Sequence, residues 1–278
     1  MKPCLALFAC LPLAALSVGA CSRAPESAQA AAAREVAPSA AASMASPAPA
    51  PPPASARREA VDNDLMDFDY AYPAQAAAIP ALAALLEADI ARQKRDLLPQ
   101  ARAMQKEAKE NGYPFRALGY WVEWQVVTDL PGWLSLSAQV GTYMGGAHPN
   151  YHFDTMLWDR QAGKRRAPVS LFVSPGALDK AIRRDFCREL DLQRKEKRQG
   201  EGAPESAIPE FDGCIAPLEN TLILGSSNGK AFDRLGILIA PYNAGPYAEG
   251  SYEVTLPVTP AVLAAVRPEY RPTFVVKR

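Results

Sequence analysis

The chain lacks both the charge excess and the histidine content on which two large classes of function depend. It carries 30 Lys and Arg residues against 30 Asp and Glu residues, so its formal net charge at pH 7 is zero. Nucleic-acid-binding domains usually show a basic excess or a basic stripe, so the sequence predicts no nucleic-acid partner. With two histidines in 278 residues, there is little material for a histidine-rich metal site, and the sequence predicts no cofactor.

The apolar run near the N-terminus is too short to span a membrane. It extends from Leu5 to Val18, after the basic Lys2, whereas a spanning helix needs about 20 apolar residues. A charged start, a short apolar stretch and small residues before a cleavage site are typical of a secretory signal. We therefore predict a signal peptide over residues 1–20.

Cys21 follows Val18-Gly19-Ala20 directly, an arrangement that resembles the lipobox of bacterial lipoproteins. The resemblance implies that Cys21 carries lipid and anchors the protein in a membrane. Ser22 is typical of lipoproteins of the outer membrane, so we expect an anchor on its periplasmic side. Residues 21–60, rich in Ala, Pro and Ser, are predicted to form a disordered tether because they offer little apolar surface to bury. The alternative is an ordinary signal peptide with an incidental Cys21.

Five cysteines are present, and two of them remain once the N-terminal region is set aside. Cys4 and Cys10 lie in the predicted signal, and Cys21 is the predicted lipid site. Cys187 and Cys214 then form an even pair in an oxidising compartment, where disulfides persist. We predict a disulfide between them, with two separate buried thiols as the alternative.

The remaining pattern predicts an α+β fold, with a mostly antiparallel sheet and helices packed on it, in two intimately joined halves at residues 61–145 and 146–278. Runs of strands interrupted by separate helices favour this class over alternating βαβ units. The folded part is expected to begin near Asp64, and Pro99 is expected to break or restart a helix. The predicted strands cover residues 68–72, 120–126, 133–143, 153–158, 222–224, 235–239 and 252–258, and the helices residues 80–93, 100–110, 176–197 and 260–266.

Four segments between residues 64 and 258 carry a family resemblance when they are taken in order. They are the aromatic strand and proline at 70–73, the segment YMGGAHPN at 143–150, the stretch 158–172, and PYNAGPYAEG at 241–250. Together they resemble the extracytoplasmic domains of RsiV-type lysozyme-sensing anti-sigma factors and PdaC-type peptidoglycan deacetylases. The half at 61–145 is similar to the PdaC type and the half at 146–278 to the RsiV type.

The resemblance implies a binding or sensing domain at the cell wall, with peptidoglycan or a lysozyme-like protein as its ligand. We expect neither anti-sigma activity nor deacetylation, because 20 residues precede Cys21 and the sequence ends at Arg278. A non-enzymatic protein is therefore favoured, and no catalytic residue is predicted. Two alternatives stay open: a metal-dependent hydrolase or deacetylase acting on wall glycan, and a structural subunit of an envelope complex.

Two loops supply the candidate ligand-binding residues. The Gly145-Gly146 pair predicts a bent connection or a loop whose exposed amides meet a ligand. The loop at 241–250 combines aromatic faces with a carboxylate, which is typical of sugar binding, although tyrosines packed beneath the loop would explain the same pattern. The candidates are Gly145, Gly146, His148, Asn150, Tyr242, Tyr247 and Glu249.

Three further patterns have a functional and a structural interpretation. His148, His152 and Asp154 would make a zinc set on an extended segment, but a turn and a strand surface explain them better. Ser227 lies in a Gly-x-Ser-x-Gly pattern that a hairpin turn at Asn228-Gly229 explains better. The basic stretch at 183–198 predicts a solvated helix face, with attraction to anionic wall polymers as the alternative.

Overall fold

A computed structural model describes residues 54–199 and 208–277. The predicted signal peptide, the lipid site at Cys21 and nearly all of the predicted tether lie outside the described residues. Within the described ranges, nine strands form a six-stranded and a three-stranded sheet, called here the large sheet and the small sheet. Helices accompany both sheets, so the predicted α+β class is confirmed.

The strands and helices have the following bounds. The large sheet contains β1 (Arg57–Asp62), β2 (Met66–Tyr72), β3 (Leu118–Leu130), β4 (Trp133–Tyr143), β5 (Asn150–Asp159) and β6 (Lys164–Arg166). The small sheet contains β7 (Thr221–Gly225), β8 (Arg234–Ile239) and β9 (Tyr252–Pro257). The α-helices are α1 (Ala74–Ala77), α2 (Pro80–Asn111), α3 (Pro175–Lys197), α4 (Pro209–Asp212) and α5 (Pro260–Ala265).

The strands of the large sheet lie side by side in chain order. The pairing of β2 with β3 is parallel, because the long α2 crosses over between them, and the other neighbours pair antiparallel. The first strand, β1, begins at Arg57 and so precedes the expected start near Asp64. The large sheet also continues through the predicted boundary at 145/146, since β4 pairs with β5 across it.

The predicted break at Pro99 is wrong, because α2 runs without interruption from Pro80 to Asn111. Proline removes one helical hydrogen bond, but Arg95 and Pro99 both lie on the exposed face, where water can reach the freed carbonyl. Leu97 and Ala101 meanwhile stay buried. The helix ends as the sequence predicts, with Gly112 in the left-handed conformation at φ 73°.

One face of the large sheet forms the first hydrophobic core under α2. Strand β2 alternates between buried and half-buried residues, so Phe68, Tyr70 and Tyr72 all point into this core. The buried Tyr70 hydroxyl accepts a hydrogen bond from Trp124 Nε1 at 2.9 Å and donates to Asp89 of α2 at 3.0 Å. A polar chain therefore links the sheet to the helix across an otherwise apolar contact.

The second core joins the small sheet to α3 and to one end of the opposite face of the large sheet. Leu178, Ile182, Phe186 and Leu190 form the buried stripe of α3. Trp133 and Leu157 bring the large sheet into the same cluster. Within the described ranges, no helix combines the length and the apolar character that a membrane crossing requires.

The predicted disulfide is confirmed. Cys187 of α3 is bonded to Cys214, with 5.3 Å between their Cα atoms. The bond ties the helix to the segment that follows α4.

Replacing both cysteines with alanine should lower the free energy of unfolding. Closing a loop of 27 residues stabilises a fold by about 3.5 kcal/mol in the chain-entropy model. Guanidinium unfolding of the Cys187→Ala/Cys214→Ala variant would measure the change. Equal unfolding midpoints for the variant and the native chain would contradict the stabilising role of the bond.

Candidate functional site: an aromatic cluster between two loops

Three aromatic rings from two distant loops meet at one surface. The His148 ring, in the connection between β4 and β5, stacks on Tyr247 with 4.0 Å between the ring centroids and 23° between their planes. Tyr242 completes the group at 5.4 Å from Tyr247 and 6.3 Å from His148. These three residues are called the aromatic cluster. The structure thus brings together candidates that lie about a hundred positions apart in the sequence.

Hydrogen bonds fix the orientation of the rings. The Tyr247 hydroxyl donates to the carbonyl of Pro149 at 3.0 Å. The same carbonyl lies 2.8 Å from His148 Nδ1, and because a carbonyl only accepts, Nδ1 is the donor there. In the neutral ring Nε2 is then the acceptor, and the Tyr242 hydroxyl lies 3.3 Å from it. Both ring nitrogens of His148 therefore have partners within the protein.

Tyr242 adopts a backbone conformation that tyrosine rarely takes. Its φ is 72°, in a turn that the Asn243 N–H closes onto the Ala240 carbonyl at 3.2 Å. Glycine or asparagine normally occupies such a position after Pro241, and another residue there costs about 1–3 kcal/mol. The Tyr242 side chain nevertheless remains 48% exposed. A strained residue that presents its ring to solvent marks this turn as a functional candidate.

The glycine candidates shape the other loop. Gly145 and Gly146 have φ values of 89° and 94°, which explains their identity without any ligand. A hydrogen bond fixes this loop to the end of β4, because the Tyr143 hydroxyl donates to the Gly146 carbonyl at 3.1 Å. Asn150 is exposed at the first position of β5.

Glu249 has a different environment from the aromatic cluster. Its carboxylate is paired with Arg198 at 2.7 Å, and both side chains are largely buried. It also accepts a hydrogen bond from the Tyr252 hydroxyl. A side chain on Gly245 would collide with Glu249, since an added Cβ would lie 2.1 Å from Oε2. Glu249 therefore holds the loop in place.

The basic end of α3 anchors both the loop at 241–250 and the segment around Cys214. Arg194, only 3% exposed, donates to the carbonyls of Ala244, Gly213 and Glu210 at 2.9, 2.8 and 2.7 Å. Lys197 donates to the Glu249 carbonyl at 2.7 Å. The prediction of a solvated face for this stretch is therefore wrong at its C-terminal end, where the cations bind backbone carbonyls.

The three residues of the weak metal alternative do not come together. His148 belongs to the aromatic cluster, whereas His152 and Asp154 line a cavity of about 440 Å³ between α2 and the large sheet. Among the described residues, no group of three or more His, Cys, Asp or Glu side chains is placed to hold a metal ion. Ser227 likewise lies in a turn, where its backbone N–H donates to Asp233 at 2.8 Å.

A polar cavity of about 570 Å³ borders the aromatic cluster. Its lining includes Tyr242, Asn243, Glu210, Glu219 and Asn220. Asn243 donates to Asn220 Oδ1 at 3.0 Å. Amide and carboxylate groups thus line the space next to the exposed tyrosine ring.

Residues 59–151 match the family model described as deacetylase PdaC. This segment runs from β1 to the start of β5 and carries one of the two cluster loops. The resemblance of the N-terminal half to the PdaC type is therefore confirmed over these residues, which indicates a domain associated with the cell envelope. The RsiV-type resemblance of the half at 146–278 stays a prediction.

Two solved structures of the DUF3298 family are similar to this chain. One from Bacteroides fragilis has 16% identity and a TM-score of 0.50, over 74% of this chain and 90% of that one. Another from Pseudomonas aeruginosa has 16% identity and a TM-score of 0.46, over 81% and 98%. At this identity, the likeness to the first structure concerns the fold alone. No curated protein matches the chain.

Replacing Glu249 with glutamine should weaken the fold and reduce its sensitivity to acid. Burial would raise the pKa of Glu249, but the hydrogen bonds from Arg198 and Tyr252 outweigh burial and hold that pKa below its usual value. A depressed pKa in the folded state contributes stability that is complete above about pH 4.3 and is lost as the pH falls through the folded-state pKa. At pH 7, the free energy of unfolding of Glu249→Gln should therefore be about 1.5–3 kcal/mol lower than that of the native chain. Between pH 5 and about pH 3, the free energy of unfolding of the variant should fall by less than that of the native chain.

Urea unfolding at a series of pH values would measure both effects. Glu253→Gln is the matched control, because Glu253 is exposed on β9. An identical acid dependence for native chain and Glu249→Gln would refute the anchoring role of the Glu249 carboxylate.

Proposed function

We propose that this protein is a lipid-anchored binding protein of the cell envelope and that its aromatic cluster contacts the glycan chains of peptidoglycan. The observation that carries the proposal is Tyr242, which is held in a strained conformation with its ring exposed. Strain of this kind persists where the surrounding structure imposes it, and it concentrates at ligand-binding and active sites. The PdaC-like domain supports an envelope setting, and Cys21 supports the lipid anchor.

The chemistry of the cluster suits a sugar. A pyranose ring has an apolar C–H face that stacks on an aromatic ring, and hydroxyls at its edge that need hydrogen-bonding partners. Tyrosine offers an apolar face and a polar hydroxyl together. The adjoining cavity contributes the amides of Asn220 and Asn243 and the carboxylate of Glu210. Aromatic surface with a few convergent polar groups is the usual composition of a small-ligand site.

A lysozyme-like protein is the second ligand to be tested, because Tyr242 is exposed enough to insert into a groove of a partner. Aromatic residues with large exposed area are frequent anchors of protein interfaces. A binding assay that presents peptidoglycan and lysozyme separately distinguishes the two candidate ligands.

The full chain should co-sediment with insoluble peptidoglycan in a saturable manner. Replacing Tyr247 with alanine removes the ring on which His148 stacks and should weaken binding about tenfold, as expected for an anchor residue. Tyr113→Ala is the matched control, since Tyr113 is 48% exposed but lies beyond the end of α2, outside the cluster. Unchanged sedimentation of Tyr247→Ala would refute the proposed site, and saturable binding to lysozyme alone would replace the proposed ligand.

Replacing Tyr242 with asparagine should separate stability from binding. Asparagine tolerates positive φ better than tyrosine, so the free energy of unfolding should stay unchanged or rise by up to about 1 kcal/mol. Sedimentation with peptidoglycan should weaken, because the exposed ring is lost. A variant that is clearly destabilised, or that binds like the native chain, would contradict a functional cause for the strain.

A further inference from the structure

The face of the large sheet opposite α2 is covered at one end and open at the other. Trp133 and Leu157, at the covered end, belong to the core shared with the small sheet. At the other end, Trp121, Gly141 and Tyr151 stand side by side on β3, β4 and β5. Trp121 and Tyr151 remain half-buried. Val122, next to Trp121, and Val140, next to Gly141, are buried on the α2 side.

Glycines allow the indole of Trp121 to lie close against the sheet. A Cβ on Gly119 would lie 2.1 Å from Cη2 of Trp121, and a Cβ on Gly141 would lie 2.9 Å from Cε3 of Trp121 and from Cε1 of Tyr151. Residues of ordinary size would push both rings away from the backbone. The two glycines therefore leave room for adjacent rings lying close over the strands.

Polar side chains surround the two rings. Together they enclose a cavity of about 250 Å³, lined by Trp121 and Tyr151 with Arg58, Asp69, Glu123 and Gln139 among their neighbours. Arg58 Nε donates to Asp69 at 2.8 Å, and Glu123 and Gln139 are exposed opposite each other on β3 and β4. The space is below the roughly 300–1,000 Å³ of a pocket for a drug-sized molecule, and thus suits a single ring.

The charges in this cavity disfavour an anionic ligand. Asp69 pairs with Arg58, and Glu123 adds a second carboxylate, so the lining has a negative balance. A nucleic acid or another phosphate polymer would meet repulsion there. A neutral polyol would instead find an apolar surface for its C–H face and carboxylate, amide and guanidinium groups for its hydroxyls.

Tyr151 connects this cavity to the aromatic cluster. It follows Asn150 in the segment whose Pro149 carbonyl holds both His148 and Tyr247. Desolvation raises the pKa of Tyr247, and the nearby phenol groups of Tyr151 and Tyr242 raise it further. Trp121 and Tyr151 both lie against Gly141, and Tyr151 is two positions from Pro149, which Tyr247 contacts. These neighbouring aromatic side chains, called here the row, are Trp121, Tyr151, Tyr247, His148 and Tyr242.

We infer that Trp121 and Tyr151 form a second sugar-binding subsite, and that an extended glycan chain lies along the row from this subsite to the aromatic cluster. The inference rests on the proposed function and deepens it, because it makes the ligand a polymer that occupies several rings at once. A chain that engages two linked subsites gains affinity over a short fragment that reaches one.

Tryptophan fluorescence provides a direct test, because three of the four tryptophans, Trp124, Trp133 and Trp158, are buried. Acrylamide quenching of the purified full chain should therefore report mainly on Trp121. Chitohexaose, the β-1,4-linked oligosaccharide of six N-acetylglucosamine units, should protect this fluorescence from quenching. Chitobiose, with two units, should protect it less. The Trp121→Ala variant should bind chitohexaose about tenfold more weakly, and Trp121→Phe, which keeps an aromatic face, should recover part of the loss.

The Tyr247→Ala variant separates the two proposals in the same titration. One outcome would refute the second subsite and leave the proposed function standing. In that outcome, chitohexaose binds the native chain and binds Tyr247→Ala more weakly, but Trp121 stays fully quenchable and Trp121→Ala binds like the native chain. If the native chain binds neither chitohexaose nor peptidoglycan, the proposed function fails and the subsite fails with it. The Tyr113→Ala variant should behave like the native chain throughout.

Discussion

The candidate surface depends on one buried cation. Arg194 sits at the end of the apolar stripe of α3, where it is almost completely removed from water and donates to backbone carbonyls on two separate segments. Burying a guanidinium group is costly unless its hydrogen bonds are satisfied, so the segments at 210–213 and at 244 must occupy their observed positions. About one helical turn further along the chain, the ion pair of Arg198 and Glu249 makes a second link to the loop at 241–250. The loop that carries Tyr242 and Tyr247 is therefore held rigidly although its sequence is rich in glycine and proline.

The two faces of the large sheet have different environments. One face is committed to the core under α2, including the hydrogen-bonded chain from Trp124 through Tyr70 to Asp89. The opposite face is sealed by the small sheet at one end only. The PdaC-like segment and the remainder of the chain meet through β4 and β5, and each contributes one loop to the aromatic cluster. A surface assembled in this way requires both parts of the chain to be folded.

The sequence predicts most elements of the fold and several of the candidate residues. The hairpin at 118–143, the helix at 175–197 and the turn around Asn228 follow from alternation, helical period and turn chemistry. The continuity of α2 through Pro99 does not follow from the sequence, since it depends on which face meets water. The strand at Arg57 escapes prediction because charged edge strands lack an apolar pattern. Arg194 carries a detectable signal, as it continues the four-residue spacing of Phe186 and Leu190, but a cation in a basic stretch is typical of a solvated face.

The disulfide gives the surface a constraint that depends on the redox state of its surroundings. Cys214 directly follows Gly213, whose carbonyl accepts from Arg194, and its bond to Cys187 keeps that segment beside α3. In a reducing compartment the two cysteines remain as free thiols. The segment whose Glu210 and Gly213 carbonyls accept hydrogen bonds from Arg194 is then no longer covalently linked to α3. The loop at 241–250 is then held by Arg194, Lys197 and Arg198 without the support of the bonded segment beside it. The oxidised chain should therefore hold the segment around Cys214 more firmly beside α3 than a chain with reduced thiols.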